Sequence, residues 1–387
     1  MPISFSEFPS VSKADWLQQV AKDLKDKPLE QLHWQPAPGL HVSPFVHADD
    51  FPPLAAALNH PPSSWEIGEA IDTGDPLSAN AQALEALAFG AEGLLVQLPE
   101  GADTAALRQL LQGVYLPMIG LHFDGPAVAR NPGAVLAALQ QITTEQGLAT
   151  TQLRGSLAYD PVSSAPIVDW RYLADLLTFA RTDFPGFRLI AVQSDAPGTD
   201  VVEDLVQLLR RGHFYLQKLT ERGVSASEVA GRLHFQLPVG PSYFLEIAKI
   251  RAFKLLWLNV LQGWAAPLEY PYVSARFAPA AYTDDLYTNM VRATTMAMSA
   301  VVGGVDRLTV RPYADGREAQ TTHPPAFGRR IARNVQHLLK MEGGFNQLAD
   351  PAAGSYYIEQ LTGQLGRLVW ERFSRSGRAV FEVSSVT

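Results

Sequence analysis

The sequence predicts an α/β protein: a (β/α)8 TIM barrel with an N-terminal arm and a short C-terminal extension. Three observations predict it. Eight strand-like runs alternate with helical stretches from Trp65 to about Met341. That span is close to the roughly 250 residues that such barrels use. The first run continues into GEAIDTGDP, which is not the G-x-G-x-x-G turn of a doubly wound open sheet, the competing architecture.

Residues 1–64 read as an arm for subunit contact. One helix is expected from Ala14 to Leu24, with Trp16, Val20 and Leu24 four residues apart. The remainder is rich in proline and without periodicity, as in a segment that lies on another surface. The barrel is expected over 65–341. Its strands are WEIGEAI from Trp65, GLLVQL from Gly93, PMIGLHFD from Pro117 and TQLRGSLAY from Thr151. They continue with FRLIAVQS from Phe187, RLHFQL from Arg232, LEYPYVSARF from Leu268 and DRLTVRPY from Asp306.

Between them the expected helices are Ser78–Phe89, Ala105–Leu111, one opened by Asn131-Pro132, Asp169–Ala180, Val201–Thr220, Ser242–Leu261, Asp285–Val302 and Arg329–Met341. For Asp285–Val302, Thr283 is the expected cap and Gly303-Gly304 the stop. Residues 342–387 read as an extension: a turn, a short strand, a helix through Leu361–Phe373, and the start of a linker.

Composition excludes several functions. The chain has 387 residues, a net charge of −8 and no cysteine, which removes disulfides, thiolate metal sites and cysteine nucleophiles. No basic stripe exists to neutralise nucleic-acid phosphates. No 18-residue uncharged apolar run suggests a membrane span, and the N-terminus does not read as a signal peptide. A cytoplasmic location is expected.

Reacting groups of barrel enzymes stand at the C-terminal strand ends. Those positions hold His122, Asp124, Tyr159, Asp160, Gln193, Asp195, His234, Gln236, Arg276, Arg311 and Tyr313. His122 and His234 with Asp124 are a candidate metal set, against a reading as barrel-interior histidines; no H-E-x-x-H supports a metal. Asp124, Asp160 and Asp195 are candidate acid–base groups, against a reading as loop caps. Trp257 and Trp264 read as packing residues.

NMVRATTMAMSAVVGGVDRL (289–308), RIARNVQHLLKMEGG (330–344), DPAAGSYYIEQLT (350–362) and FLEIAKIRAFKLLW (244–257) carry a resemblance. They are similar to segments of adenosylcobalamin-dependent acyl-CoA mutases, nearest to methylmalonyl-CoA mutase, and the likeness runs from about Phe8 to Phe373. RGSLAYDP (154–161) looks like the non-catalytic small subunit of that family. The family's active-site tyrosine position falls on Ala70, and its strand-five histidine falls near Gln193.

The resemblance therefore implies no catalytic residue, no cofactor and no metal on this chain. It implies a heterodimer with a catalytic large subunit that binds adenosylcobalamin and interconverts methylmalonyl-CoA and succinyl-CoA. The corrin-ligating D-x-H-x-x-G pattern does not occur in this sequence. The alternative is a mutase barrel active with a cobalamin domain on a separate chain. An open axial shaft favours that alternative, and a plugged one favours the scaffold.

Overall fold

The computed structural model describes residues 11–25, 27–50, 64–164, 167–195, 197–198 and 200–376. Eight parallel strands close into a barrel in the order β10-β3-β4-β5-β6-β7-β8-β9. They are β3 (Glu66–Ile71), β4 (Gly93–Gln97), β5 (Gly120–Asp124), β6 (Arg154–Tyr159), β7 (Gly186–Val192), β8 (Leu233–Val239), β9 (Val273–Phe277) and β10 (Arg307–Thr309). All eight fall inside or within two residues of the runs expected from sequence, and the open-sheet alternative is excluded by ring closure.

Residues pointing outward from the strands, such as Leu94, Val96, Leu121, Phe123, Phe235 and Leu237, are buried against the helices. The apolar core is therefore the layer between strands and helices. This leaves the shaft to the alternate residues of each strand.

The main outer helices are α2 (Pro76–Ala88), α3 (Thr104–Leu110), α5 (Pro132–Glu145), α7 (Trp170–Asp183), α8 (Val201–Thr220), α10 (Tyr243–Gly263), α11 (Leu286–Gly303) and α12 (Pro325–His337). Short helices α4 (Pro126–Arg130), α6 (Pro161–Ser164) and α9 (Ala226–Arg232) fill loops, and α1 (Lys13–Leu24) and α13 (Tyr356–Ser376) lie outside the repeat. Asn131 accepts from the Ala134 N–H at 3.1 Å with Pro132 at the first helical position, as the sequence predicts. Gly304 ends α11 in the left-handed region, φ 87°.

Three local expectations are corrected. The cap of α11 is Asp285, whose carboxylate accepts from the Tyr287 and Thr288 N–H groups. Thr283 instead gives its own N–H to Asn289 Oδ1 at 2.9 Å. A carboxylate adjacent to the first turn is the stronger acceptor for the positive end of the helix dipole. The short strand expected after DPAAG is the opening of α13. Ile358, Leu361, Leu365 and Val369 are buried at 3, 4, 4 spacing, and this helical stripe overrides the strand preference of Tyr356, Tyr357 and Ile358.

The third correction concerns the arm, which has structure beyond its helix. Strands β1 (Trp34–Ala37) and β2 (Leu40–Val42) form an antiparallel hairpin turned by Gly39 at φ 81°. Leu40 and Val42 are buried at 1% and 0% exposure and join the main core beside α13. Pro36 is tolerated because a two-stranded ribbon has only edge strands. The linker expected at the end of the chain lies mostly outside the described residues.

One cluster fastens α13 to the barrel. Arg251 of α10 donates to Asp350 at 2.9 Å, to Glu359 at 2.7 Å and to Thr362 at 3.2 Å. Arg251→Met leaves two carboxylates facing each other without their cation. It should destabilise the protein by about 2 kcal/mol, read as a lower urea midpoint, whereas Arg375→Met on the exposed end of α13 should leave the midpoint unchanged.

Candidate functional site

The shaft positions of the strands carry charge. Glu66, the first residue of β3, lays its carboxylate over Gly93 and Gly120, positions where any side chain would collide with it. His122 of β5 reaches Glu66 Oε1 through Nε2 at 2.6 Å and meets Ser156 Oγ of β6 through Nδ1 at 2.8 Å. Arg307 of β10 donates to the same Ser156 oxygen at 3.5 Å. Arg307, His122, Ser156 and Ser274 are 1–3% exposed, and His234 is fully buried.

These contacts fix the state of the shaft. In the ring, β10 lies opposite β6 and β9 lies opposite β5. The Arg307–Ser156 contact therefore crosses the axis. At the C-terminal mouth Arg276 of β9 donates to Asp124 of β5 at 2.9 Å, and this pair crosses the axis as well. The chain's own side chains span the shaft at two levels.

Burial, reinforced by the Arg307 charge, lowers the His122 pKa to about 4 against the pull of Glu66. His122 is thus neutral at pH 7, with its proton on Nε2 facing the Glu66 carboxylate. Burial pushes Glu66 up, but His122, Arg307 and Arg154 outweigh it and the net direction is down. Burial and Arg307 also hold His234 well below the usual histidine range. Gln236 Nε2 lies 3.2 Å from His234 Nε2, and His234 Nδ1 has no hydrogen-bond partner among the described residues.

The expected candidates do not converge. His122 and His234 are interior histidines, but their polar partners are side chains rather than backbone. Among the described residues no group of three or more His, Asp or Glu is placed to hold a metal. Asp124 is taken by Arg276 and by the Gly125 N–H at 2.7 Å.

Asp160 is buried and accepts from Tyr215 Oη and Ser163 Oγ, each at 2.6 Å; burial raises its pKa against those bonds. Asp195 pairs with Arg211. Each acid has partners within the fold, and Asp160 and Asp195 share one of them: Arg211 lies 3.8 Å from Asp160 and also pairs with Asp195. Trp257 packs against Phe235, and Trp264 Nε1 donates to His213 Nδ1 at 3.1 Å.

At the mouth, Ala70 and Gln193 are exposed. Gln193 offers its carbonyl to Arg211. Ala70 lines a cleft of about 410 Å³ between β3, β10 and α12, together with Glu69, Arg311, Tyr313, Arg329 and Arg333. Arg311 pairs with Asp315 at 2.7 Å and Tyr313 Oη lies 3.1 Å from Thr321 Oγ1. Burial raises the Glu69 pKa even though Arg333 donates to it.

Glu66, Arg188 and Arg307 were not among the sequence candidates. Their signal was present: a charge at alternate, shaft-facing positions of otherwise apolar strands.

Fold and axis together define the class: a (β/α)8 barrel that keeps an enzyme's architecture while its own arginines bridge the shaft. The chain belongs to the methylmalonyl-CoA mutase family, whose model matches residues 102–378. It is 32% identical over 401 residues to the methylmalonyl-CoA mutase small subunit of Porphyromonas gingivalis, covering 95% of this chain and 63% of that protein. It is 27% identical to the small subunit of Streptomyces virginiae, covering 98% of this chain and 66% of that protein. A probable small subunit of Mycobacterium bovis is 32% identical, with 89% and 56% covered. The chain thus spans less than two thirds of the length of these curated relatives.

The buried histidines set the acid response. An unfolded chain protonates them near 6.5, whereas folded His122 resists until about 4. Folding therefore excludes a proton between those values, and stability falls as pH drops through that window. His122 alone accounts for about 3 kcal/mol between pH 7 and pH 4. Buried Asp160, Asp204 and Glu69, whose pKa values are raised, take up protons earlier when folded and recover part of the loss in the carboxylate range. The urea midpoint should fall from pH 7 to pH 5, and His122→Gln should flatten that slope.

Proposed function

We propose that this chain is a non-catalytic structural subunit that forms a heterodimer with the catalytic large subunit of a methylmalonyl-CoA mutase in the cytoplasm. The single observation that carries this reading is the bridged shaft, Arg276 to Asp124 and Arg307 to Ser156. An acyl-CoA arm threaded along the axis would have to break both contacts and strand a buried guanidinium. The mouth supports the same reading. Alanine at position 70 cannot wedge against a corrin as the family tyrosine does, and Gln193 lacks the acid character of the family histidine.

The residues of this barrel therefore do not fit adenosylcobalamin chemistry. In the proposed assembly the cofactor and the isomerisation of methylmalonyl-CoA to succinyl-CoA belong to the partner. No helix among the described residues is long and apolar enough to cross a membrane.

Division of labour within the chain follows. Residues 1–64 supply the subunit contact, 65–341 the barrel and 342–387 the extension. Helix α1 has no buried residue although Trp16, Leu17, Val20 and Leu24 share one face. An apolar stripe of this kind is suited to a second chain. Trp34 and Phe45, 39% and 44% exposed, extend it.

Co-expression with a catalytic large subunit should give one complex in size-exclusion chromatography with light scattering. Trp16→Ser with Val20→Ser should weaken it by at least about tenfold, with the far-UV circular dichroism of the isolated chain still that of a folded barrel, although the Trp16 contact with Phe45 is lost. Separate elution at micromolar concentration rejects the reading, as does mutase turnover by this chain with adenosylcobalamin and methylmalonyl-CoA.

A further inference from the structure

The N-terminal half of the shaft holds more cation than its partners answer. Arg154, Arg188 and Arg307 all stand at shaft positions of β6, β7 and β10. Arg307 and Arg154 both act on Glu66, and Arg307 and Arg188 both act on His122.

Their hydrogen bonding is thin. Arg307 is 1% exposed, makes only the long 3.5 Å bond to Ser156, and its Nε has no partner among the described residues. Arg188 makes no hydrogen bond among the described residues; its guanidinium lies 4.1 Å from the centre of the Tyr272 ring. Arg154 gives one bond, to the Met118 carbonyl at 3.0 Å, and is exposed.

The two nearby carboxylates each give one oxygen to another partner and are outnumbered by the three arginines. Glu66 is engaged by His122 at 2.6 Å and leans toward β4 and β5. Asp306 accepts from the Val273 N–H at 2.7 Å. A desolvated guanidinium without an acceptor is costly, and neutral histidines supply no counter-charge.

We propose that the N-terminal end of the shaft is a binding site for a small tetrahedral oxyanion of the phosphate kind, held by Arg188, Arg307 and Arg154. Such an ion presents several acceptor oxygens and one to two negative charges, which matches donors arriving from β6, β7 and β10. The Arg307–Ser156 bridge closes the shaft beyond it, so the ligand is a compact ion and not the head of a long chain drawn through the barrel.

The test uses the whole chain and inorganic phosphate, with sodium chloride at matched ionic strength as control. Phosphate at tenfold its dissociation constant should raise the melting temperature by about 2 °C or more over chloride. Arg188→Met should abolish that rise and, because it removes an unanswered charge, should melt in chloride no lower than the parent. Arg154→Gln, at an exposed position, should weaken phosphate binding about tenfold. Stabilisation no greater than in chloride overturns the proposal, and so does an equal phosphate response in the Arg188→Met protein.

Discussion

Arg307 is the constraint around which the barrel interior is arranged. A guanidinium stays charged at any physiological pH, so burying it obliges the shaft to answer it with polarity. The relay Arg307, Ser156, His122, Glu66 is part of that answer, running from β10 through β6 and β5 to β3. Neutral His122 works as a connector, accepting from the serine and donating to the carboxylate. Gly93 and Gly120 make room for Glu66, because a side chain at either site would occupy the space of its carboxyl group. Small residues and large charged ones are thus parts of one packing solution.

The same arrangement separates what closes the barrel from what fills it. The apolar layer between strands and helices holds the ring closed and is independent of what fills the axis. Shaft residues are free to change provided that volume and charge are balanced. Asp160, Tyr215 and Ser163 show a related use of polar groups: a carboxylate at a strand end that ties β6 to α8.

Much of this was legible in the sequence. The eight strands were visible because their outward faces are apolar and their ends are marked by turns, and Val201–Thr220 matches its expected bounds to the residue. The hairpin at Trp34–Val42 was hidden because its stabilising contacts come from α13, more than three hundred positions away in the chain. The helix at Tyr356 reads as a strand in the sequence because its first three residues favour extended backbone locally. An interior place for the histidines is one of the two readings that the sequence supports, but no spacing rule pairs Arg276 with Asp124 or Arg307 with Ser156. Which residues face each other across a ring depends on closure and shear, and those are properties of the whole sheet.

The clasp between Asp124 and Arg276 joins residues 152 positions apart. It cannot exist in a half-built barrel, since β5 and β9 face each other only once the ring has shut. Such a bond contributes nothing to nucleation and acts wholly on the native state, as a keystone does on a finished arch. Opposite walls tied in this way resist prying at any single seam, so the barrel gains mechanical stiffness only when it is complete.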